Sequence, residues 1–238
     1  MLNLLLIQKI RTHTRANCYN KCMLNALMEF DKQQAIKLES NFLIGIDEAG
    51  RGPLAGPVVA CACFIPPSMI QHFTDVNDSK KLTEAKREAL FKRLTAPGNG
   101  IVYGIGFATA QEIDKFNILQ ATFLAMRRAA QKFLRMPDSC ALIDGPYPVQ
   151  GLALKQQPII DGDAKSLVIA SASVIAKVTR DHYMQTLEKL YPGYEFGGHK
   201  GYGTAKHMQA LRQLGPCPEH RRTFGPVRKL LPQTEPLP

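Results

Sequence analysis

The stretch FLIGIDEAGRGPLAGPVVACACFI, residues 42–65, contains two apolar runs separated by a loop rich in glycine and proline. The first run ends in two adjacent carboxylates, Asp47 and Glu48, and the second is rich in apolar and β-branched residues, which predicts a strand. A loop that binds a dinucleotide must open a helix, because the pyrophosphate rests on the helix N-terminus. The stretch therefore predicts strand, loop and strand, and it argues against a dinucleotide-binding protein.

Beyond this stretch the apolar residues alternate between strand and helix periods. The predicted elements are, in order, a helix over 78–94 capped by Ser79 or Thr83, a strand over 100–110, a helix over 111–135 with Phe116 on its buried face, a strand over 140–145, a strand ending at Asp161, a helix over 166–190 and a helix over 204–214. Three strands in a meander, followed by strands that alternate with helices, predict an α/β domain with a mixed sheet.

The ends of the chain differ from the middle. Residues 1–40 are polar and basic with little periodicity, and we interpret them as an N-terminal extension, flexible or partly helical. Residues 41–238 form the expected domain, and its C-terminal part is basic. From Phe196 onward seven Lys or Arg residues stand against two acids, a balance of +5.

The charge of the whole chain indicates its partner. A net charge of +10 and a pI of about 9.4 suit a polyanion, and nucleic acid is the foremost candidate. The alternative is a surface that is merely basic, which charge alone does not exclude. Because Lys and Arg are in excess in the C-terminal region, we expect that region to bind the backbone phosphates.

The six cysteines form no C-x-x-C pair, so neither a structural zinc site nor a disulfide framework is predicted. The apolar LNLLLI near the start is too short for a membrane span or for the apolar core of a signal peptide. We therefore expect a cytoplasmic protein without a membrane partner. Nothing in the sequence indicates an oligomer, and a monomer is the expectation.

Carboxylates follow three of the predicted strands. Asp47 and Glu48 end the first strand, Asp144 ends the fourth, and Asp161 and Asp163 follow the fifth. Each Asp-Gly pair alone is typical of a turn. Together, however, they would meet at the carboxyl edge of the sheet, where half-buried acids need a neutralising cation. Sites with oxygen ligands only favour Mg²⁺ or Mn²⁺, and a pair of such ions suits phosphodiester hydrolysis. A basic protein with this site is most simply a nuclease.

Asp47 and Glu48 pose a geometric difficulty, because adjacent residues of a regular strand point to opposite faces. Either the chain turns at Glu48, or one of the two residues contributes through its backbone carbonyl. We expect Asp47 to be the more direct ligand.

Six blocks of the sequence resemble bacterial ribonuclease HII in order and separation. They are DEAGRGPLAGPVV, NDSKKLT, EIDKFNILQATFLAM, LIDG, SASVIAKVTRD and GHKGYGTAKH, and the resemblance spans about residues 42–229. It implies the ribonuclease H-like fold, a mixed sheet flanked by helices with a helical C-terminal part. It also implies a Mn²⁺- or Mg²⁺-dependent endonuclease that hydrolyses the RNA strand of RNA–DNA hybrids. Such an enzyme also cuts on the 5′ side of single ribonucleotides in duplex DNA, leaving 5′-phosphate and 3′-hydroxyl ends.

The resemblance also assigns site residues. The catalytic and metal-binding acids of the family fall on Asp47, Glu48, Asp144 and Asp163. The Gly-Arg-Gly that reads the ribose 2′-hydroxyl falls on Gly50, Arg51 and Gly52, and the stacking tyrosine falls on Tyr202. The segment DGDAKS makes Asp161 a rival of Asp163, and Gly203 stands where the family usually has proline.

Other polar residues are read from their position. His199 and Lys200 lie in a glycine-rich loop, where exposure favours a phosphate contact. Ser171 and Ser173 are small helix residues for which close packing is the simpler interpretation, and a hydroxyl that faces a phosphate is the alternative. Lys177, Arg180 and Asp181 are interpreted as helix-surface ion pairs or substrate contacts, and His220 as a surface residue.

Two alternatives to the hydrolase remain at this point. Ribonuclease HIII carries an additional N-terminal domain, for which forty residues are too few. A catalytically silent module that only binds hybrids would be expected to lack one of the acids, and none is missing.

Overall fold

The computed structural model describes residues 26–73, 76 and 82–232. Its centre is a sheet in the order β3-β2-β1-β4-β5. The strands are β1 Phe42–Ala49, β2 Val58–Phe64, β3 Val102–Ala108, β4 Ser139–Asp144 and β5 Lys155–Ile159. The pairs β1–β2 and β2–β3 are antiparallel, whereas β4 runs parallel to both β1 and β5. The predicted mixed sheet, with a meander followed by parallel crossovers, is confirmed.

Helices cover both faces of the sheet. Cys61 and Cys63 point to the face covered by α4, and Ile44 and Ile46 point to the face covered by α3. The described helices are α1 over 26–37, α2 Glu84–Leu94, α3 Ala110–Ala130, α4 Leu167–Leu190, α5 Phe196–His199, α6 Ala205–Leu214 and α7 Gly225–Arg228, with 3-10 turns at Pro67–His72, Gln131–Phe133 and Gly162–Ala164. The last three helices form the expected helical C-terminal part.

The beginning of α4 is fixed close to the end of β1. The Ser166 hydroxyl accepts a hydrogen bond from the Ile169 amide and caps the helix. A Cβ on Gly45 would lie 2.1 Å from the carbonyl carbon of Val168, so only glycine permits this approach. The N-terminal turn of α4 is thereby placed beside the strand residues that precede Asp47.

One prediction about α3 is wrong. Phe116 is 41% exposed, although its spacing placed it on the buried face. The helix is interrupted at Asn117, whose φ of 68° is left-handed, and the Asn117 side chain accepts hydrogen bonds from the amides of Leu119 and Gln120. The interruption rotates the residues before it relative to those after it, which a single helical period cannot describe.

Part of the N-terminal segment packs on the main core. Leu27 and Leu38 are buried in the same cluster as the α4 face of the sheet. The Asp31 carboxylate accepts a hydrogen bond of 3.2 Å from the Val168 amide, in the first turn of α4. Residues 1–25 and Ser79 lie outside the described part, and Thr83 caps α2. No helix among the described residues is long and apolar enough to span a membrane.

Candidate active site

The parallel pairing of β1 and β4 brings their carboxyl ends to one edge of the sheet. Asp144 is the last residue of β4, and Asp47 and Glu48 stand near the end of β1. A cleft opens here. Its lining residues are Asp47, Glu48, Ala49, Gly50, Arg51, Gly52, Arg87, Asp144, Ser173, Lys177, Arg180 and Tyr202.

Asp47 is the most deeply buried acid of the cleft, with 5% of its surface exposed. Its carboxylate accepts a 2.6 Å hydrogen bond from the Glu48 amide and another from the Ser173 hydroxyl. Burial nevertheless raises its pKa well above the usual range, and the nearby carboxylates of Glu48 and Asp144 raise it further. Three carboxylates therefore lie close together at a place where burial disfavours their charged forms.

Glu48 lines the same cleft although it follows Asp47 directly. The antiparallel pairing continues through Ala49, so the chain does not turn at Glu48. The Glu48 carboxylate lies 3.4 Å from Nη1 of Arg51, which is half exposed. Burial raises the pKa of Glu48, Arg51 opposes this shift, and Asp144 adds to it.

The fourth predicted acid approaches Asp144 through its backbone. The Asp144 carboxylate accepts hydrogen bonds from the amides of Gly162 and Asp163, at 2.7 and 3.4 Å. Asp163 is buried, whereas Asp161 is exposed and left-handed at φ 53°. The short turn after β5 thus brings residue 163, rather than 161, toward the acids.

The donor set suits a hard divalent cation. Asp47, Glu48 and Asp144 present carboxylate oxygens only, the ligands that Mg²⁺ and Mn²⁺ prefer. Within the described ranges, no three His, Cys, Asp or Glu side chains are already arranged as a metal-binding group. Burial and neighbouring carboxylates raise the pKa values of Asp47 and Glu48, and a bound cation would stabilise the charged forms of both side chains.

The two glycines of the Gly50–Arg51–Gly52 loop are required for different reasons. Gly50 has φ +96°, and a Cβ there would lie 2.0 Å from Nε of Arg180, so the protein's own packing demands glycine. Gly52 is exposed, and a Cβ there would meet only the Tyr202 ring, at 3.6 Å. The absent side chain of Gly52 therefore leaves room in the cleft itself.

The other predicted substrate residues divide into two groups. Tyr202 is 47% exposed and lines the cleft. His199 and Lys200 are half-buried, and their side chains are bonded within their own loop: His199 Nε2 lies 2.7 Å from the Tyr194 carbonyl, and Lys200 Nζ donates to the Gly197 carbonyl. Neither lines the cleft.

Ser171 is not brought to the cleft either. It is fully buried, and its hydroxyl donates to the Leu167 carbonyl at 2.8 Å. Ser173, two residues further along α4, lines the cleft and bonds Asp47 instead. Lys177 also lines the cleft while its Nζ pairs with Asp181 at 2.6 Å, so the ion pair expected on this helix is present.

The interpretation of His220 as a surface residue is wrong, and so is the surface ion pair for Arg180, which lines the cleft from a buried position. Arg221, one of the seven C-terminal Lys and Arg residues expected to bind phosphates, is buried as well. Arg180, Arg221 and His220 are each at most 1% exposed. Arg180 donates to the carbonyls of Ala55, Pro57 and Lys200, and Arg221 to those of Gly50, Arg51 and Gly56. Arg221 therefore does not belong to an exposed phosphate grip. Arg180 could have been recognised, because it continues the buried stripe of α4 one turn after Ala176.

Comparison with known proteins identifies the family of the chain. The family model described as Ribonuclease HII matches residues 44–227. The Ribonuclease HII of Syntrophotalea carbinolica is 52% identical over 189 residues, which cover 79% of this chain and 88% of that protein. The Ribonuclease HII of Endomicrobium trichonymphae is 51% identical over 191 residues, covering 80% and 89%.

Solved structures give the same result for the fold. The ribonuclease H2 from Pyrococcus horikoshii OT3 is similar with a TM-score of 0.61 and 30% identity, covering 79% of this chain and 96% of that one. Bst-RNase HIII in complex with Mn²⁺ has a TM-score of 0.66 at 16% identity, covering 82% and 71%, and indicates the shared fold alone. On the extent of the family match and the identity to its members, this chain belongs to the ribonuclease HII family and is an endonuclease of the ribonuclease H class.

Proposed function

We propose that this endonuclease depends on Mn²⁺ or Mg²⁺ and hydrolyses the RNA strand of RNA–DNA hybrids. It also cuts duplex DNA on the 5′ side of a single embedded ribonucleotide, leaving 5′-phosphate and 3′-hydroxyl ends. One observation carries the proposal: the acids at the ends of β1 and β4 share a single cleft with the Gly50–Arg51–Gly52 loop and Tyr202. A single phosphodiester bound in this cleft would therefore contact both the acids that would hold the metal ions and the residues that would recognise the sugar.

Asp47, Glu48, Asp144 and Asp163 would hold the cations. Bound there, two divalent ions would supply an activated water and neutralise charge on the leaving oxygen. The protein contributes the orientation of the acids. Ser173 and the Glu48 amide hold the Asp47 carboxylate, and the amides of Gly162 and Asp163 hold that of Asp144.

The loop and Tyr202 would select the substrate. The exposed backbone at Gly52 can approach a ribose closely, and backbone groups can bond the 2′-hydroxyl, which distinguishes RNA from DNA. The Tyr202 ring beside it would stack on the following deoxyribose. This combination demands a ribonucleotide followed by DNA.

Basic side chains around the cleft would bind the phosphates on either side of the cleavage site. Arg51, Arg87 and Lys177 line it, and basic side chains of this kind bind the phosphates of a nucleic-acid backbone. In this proposal the three basic side chains bind the phosphates of the substrate, and the acids bind the metal ions. We further propose that the enzyme works as a monomer in the cytoplasm.

The test is a cleavage assay with end mapping on three duplexes. They contain one ribonucleotide, a continuous RNA strand, or DNA only, and each is incubated with Mn²⁺, with Mg²⁺ or with EDTA. We expect cleavage of the first two with either ion, none in EDTA, and none of the all-DNA duplex. Tight binding without any cleavage would favour the silent hybrid-binding module. Cleavage of all-DNA duplex would refute the role given to the loop.

A further inference from the structure

Arg221 reaches from the segment between α6 and α7 to the inner side of the Gly50–Arg51–Gly52 loop. Its guanidinium is wholly buried, and Nη2 donates to the Gly50 carbonyl at 2.6 Å while Nη1 donates to the Arg51 carbonyl at 2.8 Å. Nε and Nη2 also donate to the Gly56 carbonyl, at 3.0 and 2.8 Å. One side chain therefore holds two carbonyls of the loop and a third, that of Gly56, in the segment that follows it.

The position of Arg221 is itself fixed. Its amide donates to the Leu54 carbonyl at 2.9 Å, and its guanidinium packs over the Phe224 ring with a centroid distance of 5.1 Å. The next two amides, of Arg222 and Thr223, donate to the Asp114 carboxylate. A buried guanidinium costs free energy unless its donors are satisfied, and here backbone carbonyls satisfy them.

Because the peptide bond is planar, these contacts also determine the direction of the N–H groups of Arg51 and Gly52. In a trans peptide the N–H points opposite to the C=O of the same unit. Because the Gly50 and Arg51 carbonyls point to Arg221, the amide hydrogens of Arg51 and Gly52 point away from it. Neither amide donates to a protein acceptor within the described part of the chain, and both residues line the cleft.

We propose that Arg221 is a positioning residue for ribonucleotide selectivity: by holding the Gly50 and Arg51 carbonyls, it aims the Arg51 and Gly52 N–H groups into the cleft as donors to the 2′-oxygen. This inference rests on the proposed function, in which the loop reads the ribose. It adds that the carbonyls of Gly50 and Arg51 are occupied by the protein, so recognition by these two peptide units runs through their N–H groups. Arg221 touches no substrate.

The first test compares Arg221→Lys with wild type. Lysine keeps the charge but cannot reach three carbonyls with a planar fork. The readouts are KM and kcat on the duplex with one ribonucleotide, and the inhibition constant of an all-DNA duplex, which reports the phosphate grip alone. We expect the ratio of that inhibition constant to KM to fall about tenfold, the worth of roughly one hydrogen bond. The inhibition constant itself should stay within about twofold.

The matched control is Arg127→Lys, since Arg127 donates to the Gln150 carbonyl outside the cleft. It should leave the ratio unchanged. An unchanged ratio in Arg221→Lys, or equal losses on both duplexes, would overturn the inference. If wild type shows no preference for the ribonucleotide duplex, the proposed function fails instead, so the two failures are distinguishable.

A second measurement needs no variant of Arg221. In wild-type protein with EDTA, the amide resonances of Arg51 and Gly52 are followed by NMR during addition of each duplex. Both should move downfield with the ribonucleotide duplex and not with the all-DNA duplex, because only the former offers a 2′-oxygen. If neither resonance distinguishes the two duplexes, the inference is wrong even when Arg221→Lys does not fold.

Discussion

His207 and His220 meet inside the C-terminal helical part, with their Nε2 atoms 3.0 Å apart. Nδ1 of His207 lies 2.9 Å from the Tyr202 carbonyl and must carry a hydrogen, so its Nε2 accepts from His220. Nδ1 of His220 then accepts from the Cys217 amide at 3.0 Å. The chain of bonds requires both rings to be neutral, and it ends on the backbone of Tyr202.

Acid should therefore destabilise the fold through this pair. Burial, together with His207, lowers the pKa of His220 from 6.5 to about 4, and burial lowers that of His207. Between these pH values the unfolded chain binds more protons than the folded one, so stability falls as pH falls. The expected slope for His220 is about 1.4 kcal/mol per pH unit.

Urea unfolding of wild type and His220→Gln between pH 4.5 and 7.5 checks this slope. The difference between the two profiles isolates His220 from the buried acids, which have the opposite dependence. Below pH 6.5 the wild type should lose stability more steeply than His220→Gln. Parallel profiles would mean that His220 takes up its proton over the same pH range in the folded and the unfolded state.

Without a bound metal ion, the buried carboxylate of Asp47 should lower the free energy of unfolding at neutral pH. The pKa of Asp47 is raised in the folded state, so its contribution declines as pH rises from 3.8 toward the folded value. Asp47→Asn in EDTA at pH 8 should raise the Tm by at least about 2 °C, which corresponds to roughly 1 kcal/mol. Excess Mn²⁺ should raise the Tm of wild type but not that of Asp47→Asn.

Calorimetry with and without Mn²⁺ measures both effects. Glu195→Gln serves as the control, because Glu195 forms an exposed pair with Lys206 and should change stability little. A metal-free Asp47→Asn protein that melts below wild type would show that the carboxylate is stabilising without a cation.

The sheet and the position of the acids at its edge could be predicted from the sequence, because consecutive residues determine the period of a strand and the point where it ends. The burial of Arg221 did not, since its acceptors are about 170 residues away in the chain. Ser171 and Ser173 illustrate the same limit: which of the two faces the cleft depends on how α4 docks. The left-handed Asn117 likewise breaks a period that looked continuous.

Asp144→Asn should abolish cleavage while leaving hybrid binding nearly intact. Asp144 ends β4 at the floor of the cleft, and its neutralisation removes cation affinity rather than the basic rim. Binding is measured by fluorescence anisotropy in EDTA, and cleavage with Mg²⁺. Asp138→Asn, just before the opposite end of β4, is the control and should retain activity. Full activity of Asp144→Asn in Mg²⁺ would exclude the residue from the site.

Asp163→Asn should be inactive and Asp161→Asn active. Asp163 is buried beside Asp144, whereas Asp161 is exposed. Asparagine tolerates the left-handed conformation of residue 161, so that variant should also fold normally. Both are compared in cleavage rate and in the Mn²⁺ dependence of the Tm. The reverse outcome would transfer the fourth acid to Asp161.

Tyr202→Ala should lose more activity on a single ribonucleotide than on a continuous hybrid. The backbone of Tyr202 is held independently of the ring, because its amide donates to the His199 carbonyl at 3.0 Å and its carbonyl accepts from His207. Removing the exposed ring should therefore spare the fold and remove only its contact with the sugar. We expect a loss on the order of tenfold in kcat/KM, at the lower end of what aromatic stacking on a base contributes. A long hybrid offers many registers and so tolerates weaker positioning at each one. Tyr202→Phe keeps the ring and should stay close to wild type on both substrates. Equal losses by Tyr202→Ala on the two substrates would mean that the ring supports the structure rather than selecting the junction.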